Sequence, residues 1–344
     1  MKIETMIDYI LTNGNVNQKY IIKRDIYKQN IKSPEMLSLQ QEIINSKSVK
    51  KMLKSQNEDG WFGVELHGNA GKAMDSTVMY LRQIGVEPNN DFMIKAFKAF
   101  LLDKNPYGTI TSTRIGFDRG YNFSNAAILA ALHIDSNPVH EKLHQAYERI
   151  MEIFENGSKV EGLDEISKEC TQKRYIGHRV FLKDKYLPWV SDIQVLALSD
   201  AWKNERTCEI VDDAMQNIGR LMPIPNIYEP FNGHYLGTIG NYLSLNNDNP
   251  FELPFGDIVW WIRIMQNLTK ITDVSSIPYF KHQLDVLFEY VEQDKLISSL
   301  SESALKAFEK FYSFENKWKT ETQKFSDIYF QFLIIITTTY VPRL

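Results

Sequence analysis

The chain has 344 residues, of which 43% are apolar and 24% are charged, and its formal net charge is −4 at pH 7. This composition is typical of a folded globular protein, and it argues against a nucleic-acid-binding protein because no basic excess is present to recruit phosphates. Two cysteines, Cys170 and Cys208, are too few for a disulfide scaffold or a cysteine-rich zinc site.

Neither the N-terminal segment nor the apolar stretch near residue 334 is expected to act as a signal peptide or a membrane span. The first 14 residues, MKIETMIDYILTNG, include acidic side chains and lack the continuous apolar region of a signal peptide. The apolar run Phe332–Ile336 is much too short to span a bilayer. We therefore expect a soluble, cytoplasmic protein without a transmembrane segment.

A short motif, Gln56–Gly63, follows the first helical patterns, and a weaker copy appears at Asn105–Gly108. A glutamine side chain has two donors and one acceptor, so it can satisfy backbone groups left open where a helix ends. The glycine permits a turn, and the aromatic residue can pack against a neighbouring helix. The motif therefore predicts a structural clasp between helical hairpins.

Helix-period spacing of apolar residues dominates the rest of the chain, and the helices come in pairs. Pro88 and Pro138 lie 50 residues apart (138 − 88), each between two such patterns. Each unit reads as helix, proline turn, helix and glycine loop, in agreement with the helix-start preference of proline and the helix-end preference of glycine. Further pairs are predicted at 193–201 with 208–221, 258–268 with 279–291, and 303–314 with 325–337.

Two segments interrupt the repeat, one near residues 159–189 and one near 226–254. Strand-like alternation is scarce throughout the chain, so both segments are interpreted as irregular insertions. Long irregular connections in compact domains are often functional. We expect these insertions to form the wall or the lid of a site.

Helical hairpins of this length cannot bury both faces alone, so they must stack on one another. Asn125–Leu132 is apolar and rich in small residues, as an inner helix should be, whereas Glu141–Glu155 is amphipathic and charged. The sequence predicts an all-α fold in which the stacked hairpins form either an open solenoid or a closed ring with inner and outer helices. We expect a single domain over residues 1–344.

The repeat resembles the QW motif of terpenoid cyclases and protein prenyltransferase β-subunits. The residues that fall on the motif are Lys95, Ala96, Phe100, Leu101, Asn105 and Gly108, with Asn105 in place of glutamine and Ile110 in place of tryptophan. The resemblance covers about 46–157. It implies an α/α toroid and an enzyme that acts on an apolar, isoprenoid-like substrate in a central cavity.

The catalytic signatures of that family are absent from the sequence. There is no Asp-x-Asp-Asp acid, and the pair Asp212–Asp213 is one carboxylate short of an Asp-Asp-x-x-Asp magnesium motif. Neither cysteine has the aspartate two residues before it that a prenyltransferase zinc site needs. His140 and His144 are four residues apart and could share a metal on a helix. Because charged residues flank them, we interpret them as a pair that faces solvent. We expect no metal and no cofactor.

The strongest polar candidates follow the clasp motif and its copy. They are His67, Asp75, Arg119 and Tyr121, which occupy corresponding loops of two successive hairpins and could meet at one rim of a toroid. A histidine with a carboxylate partner is a plausible acid–base pair. The alternative is structural, with Asp75 capping the next helix and the others packing in loops.

Aromatic content is 12%, and aromatic side chains suit carbocations, sugar faces or an ordinary core. The candidate ligand-binding residues are Trp61, Trp189, His234, Tyr235 and Trp260. They are the second group of predicted site residues.

Three functions stay open at this point. The first is an isoprenoid-directed enzyme with an apolar cavity, and the second is a carbohydrate-active lyase or hydrolase, because α/α toroids also host sugar chemistry. The third is a non-catalytic binding or scaffold protein. Fold alone cannot choose among them, and the expected partner is a small-molecule or lipid-like ligand.

Overall fold

A computed structural model describes residues 2–102, 118–171, 176–182, 187–225, 227–231, 234–236, 245, 247–314 and 317–340. This part of the chain is mostly helical, which confirms the predicted all-α class in its coarse form. The helices are α1 (Ile3–Asn13), α2 (Val16–Ile21), α3 (Pro34–Asn45), α4 (Lys47–Leu53), α5 (Met74–Gln83), α6 (Asp91–Leu101), α7 (Asp118–Leu132), α8 (Glu141–Ser158), α9 (Leu163–Ile166), α10 (Val190–Leu196), α11 (Glu205–Leu221), α12 (Ile258–Ile271), α13 (Pro278–Glu292), α14 (Glu302–Tyr312) and α15 (Glu321–Tyr340).

Every predicted helix pair is present. The pairs are α5–α6, α7–α8, α10–α11, α12–α13 and α14–α15. Local signals set several of the helix starts. Pro278 occupies the first turn of α13, and the Asn204 side chain accepts a hydrogen bond from the Thr207 backbone N–H at 3.1 Å, which caps α11.

The described residues form two compact units. The first consists of Lys2–Leu143 with Glu309–Leu333, and the second of His144–Phe308 with the chain from Ile334. In the first unit α5 and α6 both pack against α7; in the second, α10 packs against α12 and α11 against α13. Helices that occupy the same place in successive hairpins are therefore neighbours, as is expected when hairpins stack. Closure of the hairpins into a ring, and one domain over the whole chain, stay predictions.

The predicted contrast in burial between α7 and α8 is also found. On α7, all residues from Ala126 to Leu132 are buried. On α8 only one stripe is buried, which comprises Leu143, Tyr147, Ile150, Met151 and Phe154. A helix buried on several sides needs apolar and small residues throughout, whereas a surface helix needs a single apolar stripe.

The Gln56–Gly63 motif forms the predicted clasp. Gln56 Nε2 donates to the Gly60 carbonyl oxygen at 3.0 Å and to the Phe92 carbonyl oxygen of α6 at 2.8 Å. Gly60 has a φ of +103°, a conformation that residues with a Cβ rarely adopt. The ring of Trp61 stacks on Phe100 of α6 at a centroid distance of 6.1 Å. The motif thus fastens its loop to both ends of α6.

The two insertions contain a four-stranded sheet that the sequence analysis did not predict. Its strands are β2 (Ser167–Glu169), β3 (Arg179–Phe181), β4 (Ile227–Phe231) and β5 (His234–Leu236), in the order β2-β3-β4-β5. β2 pairs antiparallel with β3, β3 parallel with β4, and β4 antiparallel with β5. Strands of three to five residues are too short to show a clear period of two, which explains why the pattern was missed.

A partly buried ionic cluster joins α2 to the turn between α5 and α6. A π-helical turn, Ile22–Ile26, continues α2 and carries Arg24. Arg24 Nη1 and the Tyr20 hydroxyl donate to Glu87 Oε1 at 2.6 and 2.9 Å. Arg82 lies 3.4 Å from the other oxygen of Glu87. Burial opposes ionisation of Glu87, but the charges of Arg24 and Arg82 outweigh it, so its pKa lies below the usual value.

Across the ranges given above, the structure contains no helix that combines the length and the hydrophobicity needed to cross a bilayer.

A candidate acid–base site

The site lies in the first unit, where the clasp motif leads into a short strand and then into α5. The strand is β1 (Glu65–Ala70), and it packs against α5. Leu66 is buried and anchors the strand, whereas the next residue, His67, is exposed in part. The turn between β1 and α5 is fixed by a 2.8 Å hydrogen bond from the Gly71 backbone N–H to Thr77 Oγ1. This local framework places the start of α5 beside His67.

His67 and Asp75 meet in a direct contact. His67 Nδ1 lies 2.7 Å from Asp75 Oδ2. The side chain of Asp75 is fully buried, and that of His67 is 47% exposed. Ser124 of α7 donates to the same oxygen of Asp75 at 2.9 Å, and the Ser76 backbone N–H donates to Asp75 Oδ1 at 2.5 Å. The pair predicted from the sequence is therefore brought together by the fold.

The carboxylate of Asp75 is held by three donors and by its place in the first turn of α5. Negative charge is favoured there, because the unpaired backbone N–H groups of a helix lie at its N-terminus. Asp75 does not occupy the capping position, which belongs to Ala73. The structural alternative is nevertheless met in part, because Asp75 Oδ1 accepts a hydrogen bond from the Ser76 backbone N–H in the first turn of α5.

The contact determines the tautomer and the proton affinity of His67. A carboxylate only accepts hydrogen bonds, so Nδ1 carries the proton and Nε2 is the nitrogen left for chemistry. The hydrogen bond to Asp75 raises the pKa of His67; burial opposes this shift, and the charges of Asp75 and Glu65 add to it. Within the described residues, no hydrogen bond engages His67 Nε2.

Ser124 does not have the position of a nucleophile activated by histidine. Its Oγ lies 3.3 Å from His67 Nδ1 and donates to Asp75. In a Ser-His-Asp triad, the serine hydroxyl contacts the nitrogen opposite to the one bound by the carboxylate. Here serine and carboxylate lie on the same side of the imidazole, so Ser124 supports Asp75 and takes no part in covalent chemistry.

We expect the substitution Asp75→Asn to lower the pKa of His67, because an amide replaces the charged acceptor. The shift is measurable by an NMR titration of the imidazole, with the exposed His144, paired only with Glu148 at 3.4 Å, as an internal control. A raised folded-state pKa stabilises the protein below 6.5, and this contribution is lost as the pH rises through the folded pKa. The wild type should therefore lose more stability than Asp75→Asn above pH 6.5. An unchanged His67 titration would contradict the assignment.

The remaining predicted catalytic residues, Arg119 and Tyr121, lie in the first two turns of α7. Their side chains are outside the described residues, so their contacts with His67 stay predictions. Tyr121 precedes Ser124 by three residues (124 − 121), which is about one helical turn.

The predicted ligand-binding residues differ in exposure where the structure describes their side chains. Trp61 and Trp189 are 2% exposed, and Trp189 stacks on Phe181 at 6.4 Å. Trp260 is 43% exposed, with the Arg263 guanidinium 5.6 Å from its ring centroid. His234 and Tyr235 lie on β5, and their side chains fall outside the described residues.

In the part of the chain that the structure describes, no group of three or more His, Cys, Asp or Glu side chains is arranged to hold a metal ion. Comparison of the chain with protein-family models, with curated proteins and with solved structures gave no match.

Proposed function

We propose that this chain is an enzyme in which His67 transfers a proton to or from a bound substrate and Asp75 orients and stabilises it. The observation that carries the proposal is the 2.7 Å contact between a half-exposed imidazole and a fully buried carboxylate. A buried carboxylate cannot reach a substrate itself, but it fixes the ring and stabilises the imidazolium. Such pairs typically contribute about 10²- to 10⁴-fold to the rate of a reaction.

The proton affinity of His67 limits the reactions that it can serve. Its raised pKa makes the imidazolium a weak acid, whereas protonation of an unactivated alkene needs a much stronger one. The pair is matched to proton transfer at oxygen or nitrogen, where substrate and catalyst have closer pKa values. We therefore propose general acid–base catalysis at a heteroatom, without the alkene-protonating step of cyclases.

Two substrate classes are candidates for this reaction. The family resemblance suggests an apolar, isoprenoid-like molecule. A carbohydrate-active lyase or hydrolase is the second candidate, because Tyr121 and Arg119 precede Ser124 by three and five residues on α7 (124 − 121 and 124 − 119). Histidine, tyrosine and arginine together are the set that such an enzyme would use.

A comparison of two histidine variants tests the proposal. The wild type, His67→Gln and the control His144→Gln are incubated with a panel of isoprenoid alcohols and diphosphates and a panel of oligosaccharides, and products are detected by mass spectrometry. We expect products with the wild type, an unchanged yield with the control, and a loss of about 100-fold or more with His67→Gln. The panel that yields products identifies the substrate class.

Product formation by a folded His67→Gln variant at the wild-type rate would rule out His67 as the acid–base catalyst. Circular dichroism and thermal unfolding of each variant separate a loss of chemistry from a loss of structure. His144 is a matched control because it is also a histidine paired with one carboxylate, but its side chain is 66% exposed and its partner is equally exposed.

A further inference from the structure

A concave feature of the first unit lies between two successive hairpins. It is a cavity with a volume of about 460 Å³, enclosed by α6, the last two turns of α7 and the connection from α7 to α8. Both repeat prolines, Pro88 and Pro138, line it. Its volume is in the range typical of small-molecule sites, about 300–1,000 Å³. It shares no residue with the His67–Asp75 pair.

The cavity is mainly apolar. Its body is formed by Ile94, Phe97, Leu129, Leu132, Ile134 and Leu143. Ile94, Phe97 and Ile134 are only partly buried, so the apolar wall is open on one side. Apolar surface of this kind favours a ligand with a hydrocarbon body, because its burial removes that surface from water.

The ionisable groups that line the cavity are all basic side chains. They are Lys98, His133 and His140, and no acidic side chain is among the described lining residues. Lys98 is exposed, so its alkyl stem can cover the apolar wall while its ammonium stays at the rim. Burial lowers the pKa of His133, and the nearby charge of Asp135 opposes this shift. His133 therefore stays neutral at pH 7 and offers a hydrogen bond.

His140 closes one side of the cavity. Its ring packs edge-on against Phe97 at a centroid distance of 6.1 Å, and its Nδ1 accepts a hydrogen bond from the Lys142 backbone N–H at 3.2 Å. These contacts hold the connection between α7 and α8 against α6. The cavity wall is thus formed by packing contacts between α6 and the connection from α7 to α8.

We infer that this cavity binds a small amphipathic anion of the fatty-carboxylate type, with its alkyl chain against α6 and α7 and its carboxylate near Lys98 and His133. The apolar wall matches the alkyl chain, and the ammonium of Lys98 together with the hydrogen-bonding imidazole of His133 matches a negative head group. A neutral alcohol of the same chain length gains the same apolar contacts but lacks the attraction to Lys98.

The probes are dodecanoate and dodecanol, each below its aggregation concentration, with binding measured by isothermal titration calorimetry. We expect the wild type to bind dodecanoate more tightly than dodecanol. The charge reversal Lys98→Glu should weaken dodecanoate binding by about tenfold and leave dodecanol binding unchanged. Lys95→Glu on the same helix is the matched control, since Lys95 is also exposed but does not line the cavity.

A space-filling variant tests the location. Val139 lines the cavity and is only partly buried, so Val139→Trp should fill it and abolish binding of both probes. No binding of dodecanoate by the wild type, or unweakened binding by Val139→Trp, would overturn the inference. Equal affinity for the two probes, or equal effects of Lys98→Glu and Lys95→Glu, would overturn the anionic class of the ligand. The exposed lysine variants keep the test valid if Val139→Trp does not fold.

Discussion

The substitution Asp75→Ala is expected to lower the free energy of unfolding by about 3 kcal/mol and to remove proton transfer at His67. The carboxylate of Asp75 is fully buried and accepts hydrogen bonds from His67, Ser124 and Ser76. Alanine leaves these donors without their acceptor in a site that is closed to water on the side of Asp75. The loss combines unmade hydrogen bonds with the cavity that remains.

Two further variants separate these contributions. Asp75→Asn keeps the volume and one acceptor oxygen, so its loss of stability should be about half that of alanine. Ser124→Ala removes one donor to Asp75 and should cost about 1 kcal/mol. Urea unfolding at pH 7 measures all three variants. An Asp75→Ala protein as stable as the wild type would show that the contact is not maintained in solution.

The substitution Glu87→Ala is the second change for which we expect a large loss of stability, about 3 kcal/mol. The side chain of Glu87 is 13% exposed, and it lies between Arg24 and Arg82, which are 22% and 21% exposed. Removal of the carboxylate takes an acidic partner from both partly buried guanidinium groups; Arg24 keeps its ion pair with Asp25, so the larger effect falls on Arg82. Tyr20 also loses the acceptor of its hydroxyl group.

The pH dependence of this effect has a definite sign. The pKa of Glu87 is lowered in the folded state from 4.5, so its contribution is fully present above that value and is lost as the pH falls through the folded pKa. The stability difference between the wild type and Glu87→Gln should therefore shrink in acid. Urea unfolding at pH 7 and at pH 3 measures it. The control is Glu35→Ala, which removes an exposed partner of Lys23, and it should change stability little.

The helical part of the fold was predictable because it depends on local patterns. The apolar stripes of α6 and α13, the proline that precedes α6 and the proline that begins α13 are visible in any reading of the sequence. The four-stranded sheet was not predictable, because β3 and β4 join residues from two separate insertions. Such pairing is determined by the packing around it, and three-residue strands leave too little pattern.

The site was predictable in part. His67 and Asp75 are eight residues apart (75 − 67) and flank one turn, so their contact could be inferred from the local chain. Ser124 was missed, because it comes from another hairpin and only the packing of α5 on α7 brings it to Asp75. A serine immediately before the apolar run of an inner helix was the one signal available.

The role inferred for the Gln56 side chain, hydrogen bonding to open backbone groups, is also performed by other glutamines of the chain. Gln40 donates to the Gly85 carbonyl oxygen at 2.8 Å. Gln283 donates to the Leu245 carbonyl oxygen at 2.9 Å. Each is a buried side chain that satisfies a backbone carbonyl oxygen. Neither has the glycine and tryptophan that made Gln56 recognisable, so composition alone could not single them out.

The pairing of β3 with β4 makes the two insertions dependent on each other. Each insertion supplies a two-stranded ribbon, and such a ribbon alone is at best marginally stable in water. A chain that lost residues 226–254 would leave the outer side of β3 without its hydrogen-bonding partner, and excision of 159–189 would do the same to β4. Unpaired strand sides recruit other chains. Shortened forms of this protein are therefore expected to self-associate, and the two segments should be deleted or transplanted only together.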